Sequence, residues 1–297
     1  MIALQMKLHT YSKFLLFLLL FFGVERLCHR ATDGFAMVNV YPPKGDYSYW
    51  ETEEPFPIAT TTLEKPFHYL NSGSQSYVFL SEDGETVLKL FKFQHMRVLP
   101  WLDLLPLPNY FSSMRNKKRA QKRAVLECTL SSYQIAFENL REETGILYFS
   151  TRLGKKVTIY DKIGKKHTVD LSKTPFVLQK KASLVYDTID NWMNLGQKEK
   201  AEQGLRDLLH LALVRCQKGI FDKDPDFSTN FGFVNHHPVQ IDVGRLSLDD
   251  KEKKPEVYQD EMIRITRDLQ EWIAQNHPGL LPFFDEEIER ITTKSLN

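Results

Sequence analysis

The chain has 297 residues, 42% of them hydrophobic and 26% charged, which is ordinary for a soluble globular protein with an adequate core. Its formal net charge of +1 excludes a global electrostatic pull toward nucleic acid or an anionic membrane. Cys28, Cys128 and Cys216 are odd in number, far apart and without metal-ligand spacing, which argues against a disulfide scaffold.

The first feature along the chain is the unbroken apolar run Phe14 to Val24, preceded by Lys7 and Lys13. It is too short for an ordinary spanning helix of ~20 residues and has the length of a signal-peptide h-region. Residues 1–32 therefore read as a signal peptide or a membrane anchor, and the protein is expected to be membrane-anchored or exported. Arg26 and Arg30 on the far side match Lys7 and Lys13, so charge bias leaves the orientation open. Residues 33–64 read as a linker.

Leu70 to Lys89 predicts strand, Gly/Ser loop, strand, turn at Ser81 to Gly84, and a strand over Thr86 to Lys89 that ends in a lysine. Taken alone, Asn71 to Ser76 reads as an ordinary hairpin loop. An insert from Phe93 to Phe111, with Pro100, Pro106 and Pro108, precedes a long helix predicted over Arg115 to Glu142. Its apolar face is expected to carry Val125, Thr129, Tyr133, Ala136 and Leu140. Glu127 lies in the otherwise apolar stretch Ala124 to Cys128, where a charge needs a partner; Glu138 is the alternative. The basic run Arg115 to Arg123 lacks interleaved aromatics and reads as a solvated helix start rather than a nucleic-acid surface.

Short strands follow at Ile146 to Phe149, Lys156 to Asp161 and His167 to Asp170, expected to complete a small antiparallel sheet, then a strand over Thr174 to Lys181. Helices are predicted over Leu184 to Leu195 and Glu199 to Lys218, the second stopped by Gly219. A loop with acid and amide runs from Gly219 through Asp224 to Asn230. His236 and His237 before Pro238 form a turn with no supporting metal ligand. Val239 to Gly244 is a strand delivering Asp-x-Gly, and the charged stretch Arg245 to Glu256 leads into a helix.

In order and register these segments resemble the protein-kinase-like superfamily. The family's glycine loop aligns without gaps on Leu70 to Val78, its VAIK strand on Thr86 to Lys89, its catalytic loop on Gly219 to Asp224, and its DFG on Asp242, Val243 and Gly244. The resemblance implies an α+β bilobal fold, with an antiparallel sheet and a helix in an N-lobe over 65–181 and a mainly helical C-lobe over 182–297.

It also implies ATP and Mg²⁺ as cofactors. Phosphoryl transfer asks a protein for backbone donors, one cation and metal-binding oxygens. Asn71, Ser72, Gly73, Ser74, Gln75, Ser76 and Val78 would cradle and cover the nucleotide, with Lys89 on its α/β-phosphates and the hinge around Gln179 presenting backbone groups to adenine. Asp242 and Asn230 would be the metal ligands. Asp224 would take or orient the acceptor proton, with Asp226 as its rival, and Glu127 would hold Lys89 in place.

Ser76 stands where a glycine is usual, Asp222 where a histidine is usual, and no APE-like tripeptide follows Gly244. The expected activity is ATP-dependent phosphotransfer to a hydroxyl acceptor, small or lipid-linked rather than protein. A pseudokinase serving as a binding module at a membrane is the competing expectation, and nucleotidylyl transfer on the same fold is the third.

Overall fold

The computed structural model describes residues 2–51, 61–98 and 109–293. A helix α1 (Ile2–Thr32) leads into a first lobe built on seven strands: β1 (Phe67–Ser72), β2 (Ser76–Ser81), β3 (Thr86–Phe91), β4 (Ile146–Ser150), β5 (Lys156–Tyr160), β6 (Lys166–Asp170) and β7 (Phe176–Lys180). They form one sheet in the order β4-β7-β3-β2-β1-β5-β6. The later strands complete this sheet, as expected; the one departure from an antiparallel arrangement among the pairs given is β5, which joins β1 in parallel, pairing Phe67 with Ile159, while β4 joins β7 at the other edge.

Alternation along the central strands sorts side chains between two cores, because successive residues of a strand face opposite ways. Tyr77, Phe79, Leu88, Leu90, Phe176 and Leu178 enter one cluster, covered by Phe35, Val40 and Leu63 from the chain before β1. The stretch expected to be a linker is thus packed onto the first lobe where it is described; residues 52–60 lie outside the described residues. The other face is covered by α2 (Asn109–Asn139), whose Leu126, Leu130, Tyr133 and Phe137 recur at helical spacing and pack on Phe91, Phe149 and Val177. A four-residue helix α3 (Arg141–Thr144) follows, so the single predicted helix is broken at Leu140. Of the insert, residues 99–108 lie outside the described residues.

The second lobe is helical: α4 (Val185–Asn194), α5 (Lys198–Gln217), α6 (Pro255–Asn276) and α7 (Leu281–Thr293). In α5, Ala201, Leu205, Leu208 and Ala212 make the buried stripe and meet Ile189, Trp192, Met262, Leu269 and Phe284. Gly219, at φ +72°, ends α5 in the left-handed conformation that only glycine adopts without cost. Short strands β8 (Ser183–Leu184), β9 (Ile220–Asp222), β10 (Phe231–Val234), β11 (His237–Gln240) and β12 (Leu246–Leu248) lie between the lobes. Ile220, Val243 and Leu246 belong to the α2 core of the first lobe, which roots the Asp242-Val243-Gly244 segment in the interlobe contact. The architecture is α+β and bilobal, with a sheet-built first lobe and a helical second one.

Candidate active site

The loop from Gly73 to Gln75 is strapped down from the end of β3. Lys92 donates its backbone N–H to the Gln75 carbonyl at 2.8 Å and its ammonium to the Gly73 carbonyl at 2.5 Å, while Gly73 N–H donates to Ser76 O at 3.0 Å. Lys92 is buried, and burial pulls its pKa down. Ser76, in the place of a glycine, is also buried and lies beside the Tyr133 hydroxyl of α2. The extra side chain is therefore held toward α2. Asn71 turns its side-chain oxygen onto Ser72 N–H at 2.7 Å.

Lys89 is 7% exposed and faces the interlobe cleft from β3. Its ammonium donates to the Ile241 carbonyl. Burial lowers its pKa and the nearby Asp242 carboxylate works the other way. Among the described residues no carboxylate forms an ion pair with it. Glu127, expected to do so, is instead paired with Arg123 one helical turn away at 2.8 Å and is nearly half exposed. Its assignment is corrected: Ala124, Val125 and Cys128 face outward with it, and the buried stripe passes through Leu126 and Leu130. Glu138 accepts from Gln134 on the exposed surface. What α2 does provide is Ser132, whose hydroxyl donates to the Val243 carbonyl and accepts from Leu246 N–H at 2.5 Å. This grip on the Asp-x-Gly segment had no signature in the sequence beyond a small polar residue on an apolar face.

On the opposite wall, Asp222, standing where a histidine is usual in the family the sequence resembles, is buried. Its carboxylate accepts from Gln240 at 2.6 Å, from Arg215 at 3.1 Å and from Asp224 N–H at 2.9 Å. Burial pushes its carboxyl up, against the pull of Arg215. Asp222 thus fixes the loop instead of meeting solvent. Asp224 presents a carboxylate that is 55% exposed and pairs with Arg245 at 3.2 Å. Asp226 is engaged locally: burial opposes its ionisation, yet hydrogen bonds from Ser228 and Thr229 prevail and hold its carboxyl below the usual range. Asn230 donates its side-chain amide to Asp224 O at 2.7 Å, and its own carbonyl accepts from Ile241 N–H at 2.7 Å, binding the acidic loop to the strand that ends at Asp242.

These groups meet in one interlobe cleft of about 1040 Å³. Asn71, Gly73, Ser74, Ser76, Val78, Lys89, Gln179, Asp224, Asn230 and Asp242 all line it. Ser72 and Glu127 do not, and Gln75 lines a small neighbouring recess with Asp222, Asp242 and Gly244. Gln179 is buried, donating to Thr144 O at 2.7 Å. The backbone amides of Lys180 and Lys181 are already bonded to Gly145 O and Glu85 O, which leaves the hinge from Ala182 onward to meet a ligand. Sequence reasoning missed the outer wall, made by Asp187, Asn191 and Trp192 of α4 and by Asn235 and His236. The last two have positive φ and form the two-residue turn between β10 and β11. Asn-His between two apolar runs was the available signal.

Two hard oxygen donors, Asp242 and Asn230, share the cleft with one buried ammonium, a donor set suited to Mg²⁺, which takes few protein oxygens and completes its shell with water and phosphate. Among the described residues no group of three or more His, Cys, Asp or Glu is placed to hold a metal by itself.

No protein-family model and no curated protein sequence matches the chain. Among solved structures it is similar to a 2.2 Å crystal structure of WbdD at 14% identity and TM-score 0.37, over 75% of this chain and 45% of that one. It is similar also to WbdD co-crystallised with the kinase inhibitor LY294002, at 12% identity and TM-score 0.35 over 74% and 45% of the two chains. A third structure, of the bifunctional kinase-methyltransferase WbdD, matches at 14% identity and TM-score 0.32 over 72% and 43%. The chain spans less than half the length of these proteins. Similarity at this level fixes no family.

Proposed function

We propose that the cleft binds Mg²⁺-ATP and transfers a phosphoryl group to a hydroxyl on a small or lipid-linked acceptor. The observation that carries this reading is the convergence of Lys89, Asp224, Asn230, Asp242 and the Gly73 to Ser76 loop, drawn from far-separated parts of the chain, on one cleft. In this reading Lys89 and the loop amides take the nucleotide phosphates, Asp242 and Asn230 hold the metal that neutralises developing charge, and Asp224 orients the acceptor hydroxyl and accepts its proton. Asp224 is favoured over Asp226 because it keeps a solvent-facing carboxylate, whereas both oxygens of Asp226 are used by Ser228 and Thr229. The acceptor class is read from the short path after Gly244: β12 pairs with β9, Leu246 opposite Asp222, and leads through one 3-10 turn at Asp250–Lys253 into α6, which leaves little room for a protein-substrate platform.

A second reading is a nucleotide-binding pseudokinase. It is favoured by Lys89 having a carbonyl rather than a carboxylate partner and by the Gln75 side chain lying on Gly244. The deciding experiment follows thermal stability and phosphate transfer together. Phosphotransfer requires a Mg²⁺-dependent ATP stabilisation, about 2.7 kcal/mol at ~100 times Kd, that Asp242→Ala abolishes. It also requires turnover that Asp224→Asn removes while leaving the stabilisation intact. Stabilisation without turnover in the wild type selects the pseudokinase. No stabilisation at millimolar nucleotide overturns both.

A further inference from the structure

The helix α1 carries large apolar side chains that the rest of the molecule leaves uncovered. Leu15, Leu16, Phe17, Leu19, Leu20, Phe21, Phe22, Val24 and Leu27 are each between 57% and 68% exposed. At 100° per residue these positions point to every side of the helix, whereas a helix lying on a soluble core would bury one stripe. A helix apolar all round belongs inside a core or inside hydrocarbon, and no core surrounds this one. Its flanks carry cations, Lys13 on one side and Arg26 and Arg30 on the other, outnumbering the one acid, Glu25, and among the described residues no ion pair engages either arginine. That is the charge pattern of a segment bounded by lipid phosphates.

The same helix is fastened to the first lobe. Just past its end Asp33 accepts from the Tyr69 hydroxyl at 2.5 Å and pairs with Lys162 at 2.8 Å, the Lys162 bond leading in holding its carboxyl below the usual range. The Tyr77 hydroxyl donates to Gly34 O at 2.7 Å, and Phe35 is buried edge-on against Tyr77 and Phe79. Arg26, His29, Arg30 and Asp33 share a surface cavity of about 680 Å³ with Ser72, the residue that opens the Gly/Ser loop. Arg30 is only about 5 Å along the helix axis from Leu27, the last apolar position.

We propose that α1 docks the protein on a lipid bilayer, with Arg26, His29 and Arg30 at the phosphate level, and holds the loop edge of the first lobe against the membrane surface. Among the described residues no helix is long and apolar enough to cross a membrane. The run from Phe14 to Val24 covers about 16 Å against a hydrocarbon core of about 30 Å, so the segment is immersed without spanning a bilayer of ordinary thickness. Docking stands without the phosphotransfer reading. Its consequence, that the acceptor is carried on the same membrane, rests on that reading.

The test is flotation of the full chain, without nucleotide, on vesicles of zwitterionic lipid and of zwitterionic lipid with an anionic phospholipid. The wild type floats with both, more strongly with the anionic. Leu19→Glu with Phe22→Glu stays at the bottom of the gradient with an unchanged thermal midpoint, because neither side chain packs on the lobes. Arg26→Gln with Arg30→Gln partitions about thirtyfold more weakly onto anionic vesicles. A bimane on Ser72→Cys, in a background with Cys28 and Cys128 replaced by serine, is quenched by headgroup spin label, and one on Gln270→Cys is not. A wild type that fails to float, floats equally after the glutamate substitutions, or is recovered from its cells cut after α1 overturns the docking. Equal quenching at the two labels overturns the orientation.

Discussion

The Gln75 carboxamide occupies the space that a side chain on Gly244 would need. Its Nε2 donates to the Gly244 carbonyl at 3.3 Å, and a Cβ built on Gly244 would come within 1.8 Å of its Oε1. The glycine of the Asp-x-Gly segment is here a matter of close approach, and its partner is the tip of the Gly/Ser loop. The contact closes the loop over the recess that contains Asp222 and Asp242.

Gly244→Ala therefore expels the Gln75 side chain, a flexible group, at a stability cost below about 1 kcal/mol. The loop loosens. Amide exchange at Ser74 to Ser76 should rise to the same extent in Gly244→Ala, Gln75→Ala and the double variant, because all three remove one contact. Additive increases would mean that the two residues act separately.

Lys89→Met should keep or slightly raise the thermal midpoint and abolish nucleotide stabilisation. The ammonium is buried with one carbonyl partner, so removing its charge removes a desolvation cost without orphaning a carboxylate. A large loss of stability would show that Lys89 holds the lobes together.

Arg215 is 1% exposed between Asp222 at 3.1 Å and Glu261 at 3.5 Å. Arg215→Ala leaves Asp222 buried and without its cation, and should cost about 3–5 kcal/mol, lowering the midpoint by roughly 10 °C. The double replacement Arg215→Met with Asp222→Leu should cost less than the single one, although it also frees Gln240 and the Asp224 amide. Calorimetry on both variants distinguishes an uncompensated charge from lost packing.

Glu252 lies beside this network with one carboxylate oxygen unpartnered. Burial first, then the Glu261 charge, raises its pKa, while Arg215 opposes. A carboxyl with a raised folded-state pKa contributes stability that is fully present below its unfolded pKa and is lost as pH rises through the folded one. Glu252→Gln, which resembles the protonated acid, should therefore raise the midpoint at pH 8 by about 2 °C. The gain should vanish near pH 4, where the wild-type residue binds its proton. A gain independent of pH would sink the assignment.

Local rules fixed much of this protein in advance. Alternation over Thr86 to Lys89 set Lys89 and Val87 on the face opposite Leu88 and Leu90, and Gly219 ended α5 because no other residue takes its φ without strain. Period and turn chemistry are properties of neighbouring residues, so the order of strands, loops and helices was legible. Contacts between distant segments were not. On α2 the expected face was right at Thr129, Tyr133, Ala136 and Leu140 and wrong at Val125, which is exposed; Glu127 shares that outward side and meets Arg123 instead of a buried partner. Likewise Asp33 on Tyr69, Ser132 on Val243, Arg215 between Asp222 and Glu261, and Gln75 against Gly244 depend on where the folded chain returns. Only the tertiary packing within and between the lobes decides that. The sequence by itself determined which chemical groups this protein carries and which local elements present them; the tertiary structure decided which of them meet, because burial and close approach arise only when remote surfaces exclude water from each other.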